Sequence, residues 1–273
     1  MTEPAVAGET SRAARAAVAE AVGRIPADQV DATAGELAAV ADLLHSNLTL
    51  RNAVADPATP ASVKSTLVRR VLAGKVGEPT LAVLDVASAQ RWSVTRDLVD
   101  TLDRASTVAV LTGAANAGQL SEAEDELFRF GRILAREPEL NLALTDPAVP
   151  TAAKERLVGS LLQGKATETT IRLATRAVTS ARGVPLERAL ADVAALASAR
   201  RQQLLAVVRS ATTLDADRVS RLEASLRRIY GRDVHVQVEI DSSLIGGLTI
   251  RVGDEVVDGS IRHRIAQARA RFA

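Results

Sequence analysis

The chain has no cysteine, so it has neither a disulfide framework nor thiolate chemistry. A reducing compartment fits that absence without being required by it. Aromatic residues make up only 2%, and a core must therefore be packed from Ala, Leu, Val and Ile, which favours helices in close contact over a β-sandwich. Excess charge of one sign is missing too: 34 basic side chains face 33 acidic ones, giving no global drive toward nucleic acid or an anionic membrane surface. The solitary Trp92 and Tyr230 suit packing anchors better than base-stacking platforms. The longest charge-free run, Ala105 to Ser121, is about 17 residues and carries Thr, Asn, Gly and Gln, too short and too polar to span a bilayer. The opening "MTEPAVAGETSRAARA" lacks the basic region and unbroken apolar run of a signal peptide. A soluble chain is expected.

The groups that catalysis would need are equally sparse. His45, His235 and His263 are widely separated, and none has a second ligand at metal spacing. There is no G-x-S-x-G elbow, and neither Lys75 nor Lys165 follows the glycine-rich loop of a phosphate-binding lysine. The acids Glu122, Glu124, Asp125 and Glu126 fall at a predicted helix start, where the helix dipole favours negative charge. No metal, no cofactor and no enzymatic activity are expected.

What the chain does have is repetition. "ELAAVADLLHSNLTLRNAVADPATPASVKSTLVRRVLAGKVGEPT", from Glu36, aligns without a gap to "ELFRFGRILAREPELNLALTDPAVPTAAKERLVGSLLQGKATETT", from Glu126. The offset is about 90 residues, with about 17 identities over about 45 positions. Matched residues include Asp56-Pro57-Ala58 with Asp146-Pro147-Ala148, Pro60 with Pro150, Lys64 with Lys154, and Gly74-Lys75 with Gly164-Lys165. These are punctuation and core positions, not reactive ones.

Leu37, Val40, Leu43 and Leu44 in one copy, and Leu127, Phe130, Ile133 and Leu134 in the other, fall at helical spacing. A short apolar helix follows in each and is broken by Asp-Pro-Ala-x-Pro. Val63, Leu67, Val71 and Leu72 then predict a further stripe, closed by Gly74 as a left-handed cap, with Gly164 doing the same in the second copy. Another long helical pattern ends each copy, and a leading helix over Ser11 to Ile25 begins the chain. Val184-Pro185 is the one expected kink in the last helical stretch.

After Leu205 the character changes. "LLAVVRSATTL" ends a helix or begins a strand, "DADRVSRLEASLRRIY" is an amphipathic helix with Val219, Leu222, Leu226 and Ile229 on one face, and "DVHVQVEID" alternates as a strand does. Leu248–Val252 and Val256-Val257 read as two more strands joined by Gly253-Asp254 in a tight turn, with Ser260 capping a final helix. The fold class predicted is mainly α: a duplicated helical bundle, 1–115 and 116–205, followed by a small α/β domain with a β-hairpin, 206–273. Glycines Gly246, Gly247, Gly253 and Gly259 do not make a dinucleotide fingerprint, because they lead into strands and turns and not from a strand into a long helix.

At these residues the chain resembles a known family. "IDSSLIGGLTIRVGDEVVDGSIRHRI", preceded by "VVRSATTL" and "RLEASLRRIYGRDV", is similar to the C-terminal region of the δ subunit of bacterial F-type ATP synthase, the oligomycin-sensitivity-conferring subunit family. Asp241, Leu244, Gly246, Gly247, Gly253, Asp258, Gly259 and Ser260 stand in the family's order and spacing as structural motif positions. The Asp-Pro-Ala-x-Pro-x-x-x-Lys element resembles the family's N-terminal helical domain, which occurs here twice where the usual member has it once.

The resemblance implies a non-catalytic stator subunit of the peripheral stalk, at the cytoplasmic face of the cell membrane and reaching the membrane only through the complex. Its implied partners are N-terminal segments of the head's α subunits and the stalk's b subunit. The family's α-subunit groove, between the first and fifth helices, maps onto Ala14, Val18 and Val22 with Leu81, Leu84 and Val86, or in the second copy onto Ile171, Ala174 and Val178. The same aliphatics fit a bundle core equally well. A helical-repeat adaptor unrelated to ATP synthase would explain the duplication but not the C-terminal motif.

Overall fold

The apolar stripes of the first copy fold into α1 (Glu9–Gly23), α2 (Val30–Ser46), α3 (Leu48–Ala55), α4 (Ala61–Leu72), α5 (Glu78–Ala89) and α6 (Thr95–Asn116), with one 3-10 turn at Ala27–Gln29. The second copy repeats the series at the same spacing: α7 (Leu120–Arg136), α8 (Pro138–Thr145), α9 (Thr151–Leu162), α10 (Glu168–Thr179) and α11 (Leu186–Gln202). The computed structural model describes residues 9–181, 184–202, 204–231, 234–241, 244, 246–252 and 255–258. The fold is mainly α with a small sheet near the C-terminus.

Both copies use the same local devices. Asp56 accepts a hydrogen bond from the Ala58 N–H at 2.9 Å, and Asp146 from the Ala148 N–H at 2.8 Å, so the repeated spacing of aspartate and proline is a side-chain turn in each copy. Pro60 and Pro150 then stand immediately before α4 and α9, where a fixed φ suits helix entry. Gly74 and Gly164 are left-handed, with φ of 70° and 72°, just past the ends of those helices.

A further device escaped the sequence reading: Glu36 and Glu126 reach across from α2 and α7 to the starts of α5 and α10. Glu36 accepts from the Gly77 N–H at 2.9 Å and from the Thr80 hydroxyl. Glu126 accepts from the Thr167 N–H at 3.0 Å and its hydroxyl at 2.9 Å. Each carboxylate satisfies orphan donors at a helix N-terminus.

One hydrophobic cluster runs through both copies, from Leu37 and Leu44 on α2 to Leu127, Phe130 and Leu134 on α7 and Leu173 on α10. The centre of it is α6. Leu98, Val99, Leu102, Ala105, Ala109, Leu111 and Ala114 are all at most 4% exposed and occupy more than one face of the helix, the mark of a helix enclosed by neighbours. Helices α1, α2, α3 and α10 all pack against it. Thus α6 closes the first copy and also leads into the second, as α1 leads into α2.

On α4 the inward residues are Lys64, Val68 and Leu72, whereas the predicted stripe began at Val63, which is 55% exposed. The register differs because the lysine stem packs inward as an apolar side chain. Burial pushes the Lys64 ammonium pKa down, against the attraction of Asp56. Ile133 on α7 also points outward, at 49% exposure; Phe130 and Leu134, four apart, carry the contact instead.

The chain divides into two compact units, residues 1–200 and 201–273. The second holds β1 (Leu204–Ser210), α12 (Ala216–Tyr230), β2 (Val234–Ile240), β3 (Leu248–Val252) and β4 (Glu255–Asp258) in the sheet order β2-β1-β3-β4. The segment "LLAVVRS" is therefore a strand, interior to the sheet, parallel to β2 across the α12 crossover and antiparallel to β3. Ala206, Val208, Val234, Val236 and Val252 meet Leu226 of α12 in its core. Ile229, placed by spacing on the same helix face, is 72% exposed, and Tyr230 packs there in its place.

Asp215 accepts from the Arg218 N–H at 2.8 Å to cap α12, and Gly231, with φ of 65°, ends it. Gly246 and Gly247, with φ of 155° and 86°, turn the chain into β3, so they serve backbone geometry. Val252 pairs with Glu255 across the β3–β4 hairpin. Gly253 and Asp254, expected from sequence to form the turn, together with Gly259, Ser260 and the predicted last helix, lie outside the described residues.

Candidate partner-binding surfaces

In the first copy α5 packs on α1, and in the second α10 packs on α6. Each pair is a first and fifth helix in its own copy, so two candidate grooves exist within one unit. Ala14, Val18, Val22 and Leu84 are at most 3% exposed, as is Ala174, and Val178 is 4% exposed. These six side chains are taken up by the bundle's own core. Leu81, Val86 and Ile171 are half-buried and are the members of the predicted set that reach the surface. On α1 and α5 the exposed residues include the small Ala13, Ala16, Ala82 and Ala89, beside Arg12, Glu20 and Glu78.

The groove of the second copy differs. It is bounded on one side by α2, and between the three helices lies an open cleft of about 430 Å³ lined by Ala34, Ala38, Ser106, Thr107, Ile171 and Thr175, with Glu155 of α9 at its edge. Two arginines of α10 bridge its mouth. Arg172 donates to the Asp31 carboxylate at 2.9 Å and to the Asp31 carbonyl at 3.3 Å. Arg176 donates to both Asp42 oxygens, at 2.6 and 3.0 Å, to the Ala38 carbonyl at 3.3 Å, and to Asp103 of α6. Burial of Arg176 opposes its charge, but Asp42 and Asp103 outweigh it and raise its pKa.

Helices α2 and α7, and α5 and α10, begin at the same offset of 90 residues, and carried on at that offset the comparison shows these groups to be particular to their own copies. Arg172 and Arg176 stand where the first copy has Ala82 and Val86, while Asp31 and Asp42 stand where the second has Ser121 and Arg132. On α5 the polar investment is elsewhere: Arg69 of α4 bridges Asp85, at 2.6 Å, and Glu78, at 2.9 Å. The second copy has Gly159 and Thr175 in place of Arg69 and Asp85, so that bridge is absent there.

Ser11, fully buried, ties α1 to the start of α6. Its hydroxyl donates to Asp97 at 2.6 Å and accepts from the Ser93 N–H at 2.9 Å. Trp92 donates to the Ala87 carbonyl at 3.1 Å from a buried position, a packing anchor between α5 and α6. In the C-terminal unit, the Asp241 N–H donates to the Ser210 carbonyl at 2.8 Å, and the Leu244 N–H to the Asp241 carbonyl at 3.1 Å. The family-motif residues Asp241 and Leu244 thus hold the end of β2 beside the end of β1, while Asp258 ends β4.

The sequence profile of the ATP synthase delta (OSCP) subunit family matches residues 104–272. The chain belongs to this family. The δ (OSCP) match begins within α6 and runs through the second copy and the C-terminal unit, so the first copy lies almost wholly before it. Relatives named ATP synthase subunit delta include that of Parafrankia sp., 44% identical over 96% of this chain and 97% of that one. Another, of Streptomyces avermitilis, is 42% identical over the whole of both chains, and that of Thermobifida fusca is 47% identical over 87% and 88%.

The duplicated length is therefore shared with δ subunits of other bacteria. A chain in the cryo-EM structure of the Toxoplasma gondii mitochondrial ATP synthase hexamer covers 61% of this chain at 18% identity with a TM-score of 0.27, a likeness too loose to bear on the fold. As a δ subunit the protein is a non-catalytic component of the peripheral stalk of the F-type ATP synthase. Among the described residues no helix is long and apolar enough to cross a membrane.

Proposed function

We propose that this δ subunit ties the catalytic head to the peripheral stalk by two different contacts: its helical unit takes N-terminal segments of the head's α subunits, and its C-terminal unit engages the end of the stalk's b subunit. The subunit then sits at the cytoplasmic face of the membrane and reaches the bilayer only through the complex. The observation that carries this reading is the span of the family match, 104–272, which takes in the second half of α6, helices α7 to α11 and the whole sheet. Helix-in-groove binding suits the α1/α5 face, because exposed Ala13, Ala16, Ala82 and Ala89 permit close backbone approach while Leu81 and Val86 supply apolar area.

A stator must resist torque without chemistry, so stiffness is the property to look for. In α6, 22 residues long and so about 33 Å from end to end, the two copies share one buried rod and have no Gly/Ser linker between them. Affinity purification of the tagged subunit from gently solubilised membranes, followed by crosslink mapping, tests the proposal. Recovery of α and b, with α crosslinked to the helical unit and b to residues beyond 200, is the expected result. Soluble clients in their place, with α and b absent, would overturn it.

A further inference from the structure

We infer that the two grooves are not equivalent: helix α2 of the first copy clasps the α6/α10 cleft of the second in cis, so that only the α1/α5 face is open to a partner helix. This deepens the proposed function and rests on it for the identity of that helix. The clasp itself rests on geometry alone. Arg172 and Arg176 cross the mouth of the cleft to Asp31, Asp42 and the Ala38 carbonyl, and a further Arg176 contact anchors the bridge to Asp103 of α6. A helix with its side chains is about 10 Å across, and it cannot enter while side chains span the opening at hydrogen-bond distance.

The chemistry of the repeat points the same way. Two acids were placed on α2 only in the copy that does the clasping, and two arginines on the fifth helix only in the copy that is clasped. At the matching positions of α5 stand Ala82 and Val86, neither of which can make such a bridge. The first copy is thus both the lid of one groove and the bearer of the other.

The chain has no cysteine, which makes single-thiol accessibility a direct test. In the full-length Thr175→Cys chain, whose thiol lines the cleft, N-ethylmaleimide is expected to react readily and a maleimide carrying a long polyethylene glycol chain slowly. Adding Asp31→Lys and Asp42→Lys replaces attraction with repulsion and should speed the large reagent about tenfold or more, by raising the open population. An Ala82→Cys control on α5 should react quickly with both reagents in both backgrounds. Equal rates for the large reagent at Thr175→Cys with and without the lysines would overturn the clasp. Asp31 and Asp42 are exposed, with 72% and 55% of their side-chain surface accessible, so folding should survive. The Asp31→Ala/Asp42→Ala pair, checked by circular dichroism, gives a second and milder opening.

A synthetic peptide of the α subunit's N-terminal segment then separates the two ideas. The unmutated chain should bind one equivalent by calorimetry and the Asp31→Lys/Asp42→Lys chain two. Two equivalents on the unmutated chain would overturn the inference. No peptide bound to either chain, with the thiol result as expected, would sustain the clasp and overturn the α-subunit reading.

Discussion

Truncating Leu102 to alanine puts the role of α6 to a quantitative test. Leu102 is fully buried at the middle of the helix and lines a small apolar cavity of the first copy together with Val40, Leu44, Leu84 and Leu98. Removing its three outer carbons enlarges that cavity, and a fully buried Leu→Ala change costs about 2–5 kcal/mol. A loss of about 3 kcal/mol changes an opening equilibrium by a factor on the order of 10². If α6 is a rod shared by both copies, the loss cannot be confined to the first. Native-state hydrogen exchange should show the slowest amides of α7 and α10 losing protection by the same factor as those of α2 and α4. Urea unfolding of the helical unit should remain a single transition with a lowered midpoint. Unchanged protection in α7 and α10, or a transition that splits in two, would refute the shared rod and make the copies separate domains.

Glu126 offers a test of pH dependence. Burial raises its pKa, but hydrogen bonds from Thr170 and from the Thr167 N–H and hydroxyl outweigh that and leave it lowered overall. A carboxylate with a lowered folded pKa contributes stability that is present above its unfolded value of about 4.3 and is lost as pH falls through the folded one. Glu126→Gln should therefore flatten the acid limb of the stability–pH profile and lower thermal stability at neutral pH, and an acid limb parallel to the parent would count against the cap. Gly74→Ala and Gly164→Ala should each cost about 1 kcal/mol through left-handed backbone strain alone, since an added Cβ meets nothing within 4 Å at either site. Thermal melts should show the two losses to be alike. Gly247→Val, at φ of 86°, should destabilise the sheet while leaving the helical unit's exchange protection intact, and an unchanged sheet would argue against its turn role.

The repeat was legible because its signals are local. Proline before a helix, glycine after one and an aspartate turn act within a few residues, and they recur at a constant offset. Helix α4 was misread for a reason that is also local: Lys64 counts as polar in any periodicity, yet its stem is what packs inward. The parallel pairing of β1 with β2 had no local signal, because an apolar run such as "LLAVV" serves a helix end or an interior strand equally. The clasp was the least legible of all. Arg176 and Asp42 are 134 residues apart, and Arg172 and Asp31 are 141 apart, and each alone reads as a solvated charge on a helix face. A comparison of the two copies held the one available clue, since the four residues differ in charge from their counterparts while the turn and cap residues recur.

The way the copies share α6 decides where the chain can be cut. A boundary at 115 would assign α6 to the first copy, but the second then lacks its leading helix, and α10 loses the surface it packs on. A chain beginning at Thr95 keeps α6 to α11 and the sheet, nearly the span that the family profile matches, and is expected to fold. It uncovers the side of α6 that α2 had buried, including Ser106, whose hydroxyl donates to the Ala34 carbonyl, and frees Arg172 and Arg176 from Asp31 and Asp42. Lower thermal stability than the parent and a cleft now open at one side should follow. Removing residues 115–205 instead takes away α7 to α11 and the first two residues of β1, joins the rest of the sheet to a bundle outside the family match, and should weaken assembly and ATP-synthesis coupling. Circular dichroism of the first variant and proton-pumping assays of membranes carrying the second supply the readouts. An unfolded Thr95 chain would mean that α6 cannot serve as a first helix, and normal coupling after loss of 115–205 would mean that the second copy has no necessary stator role.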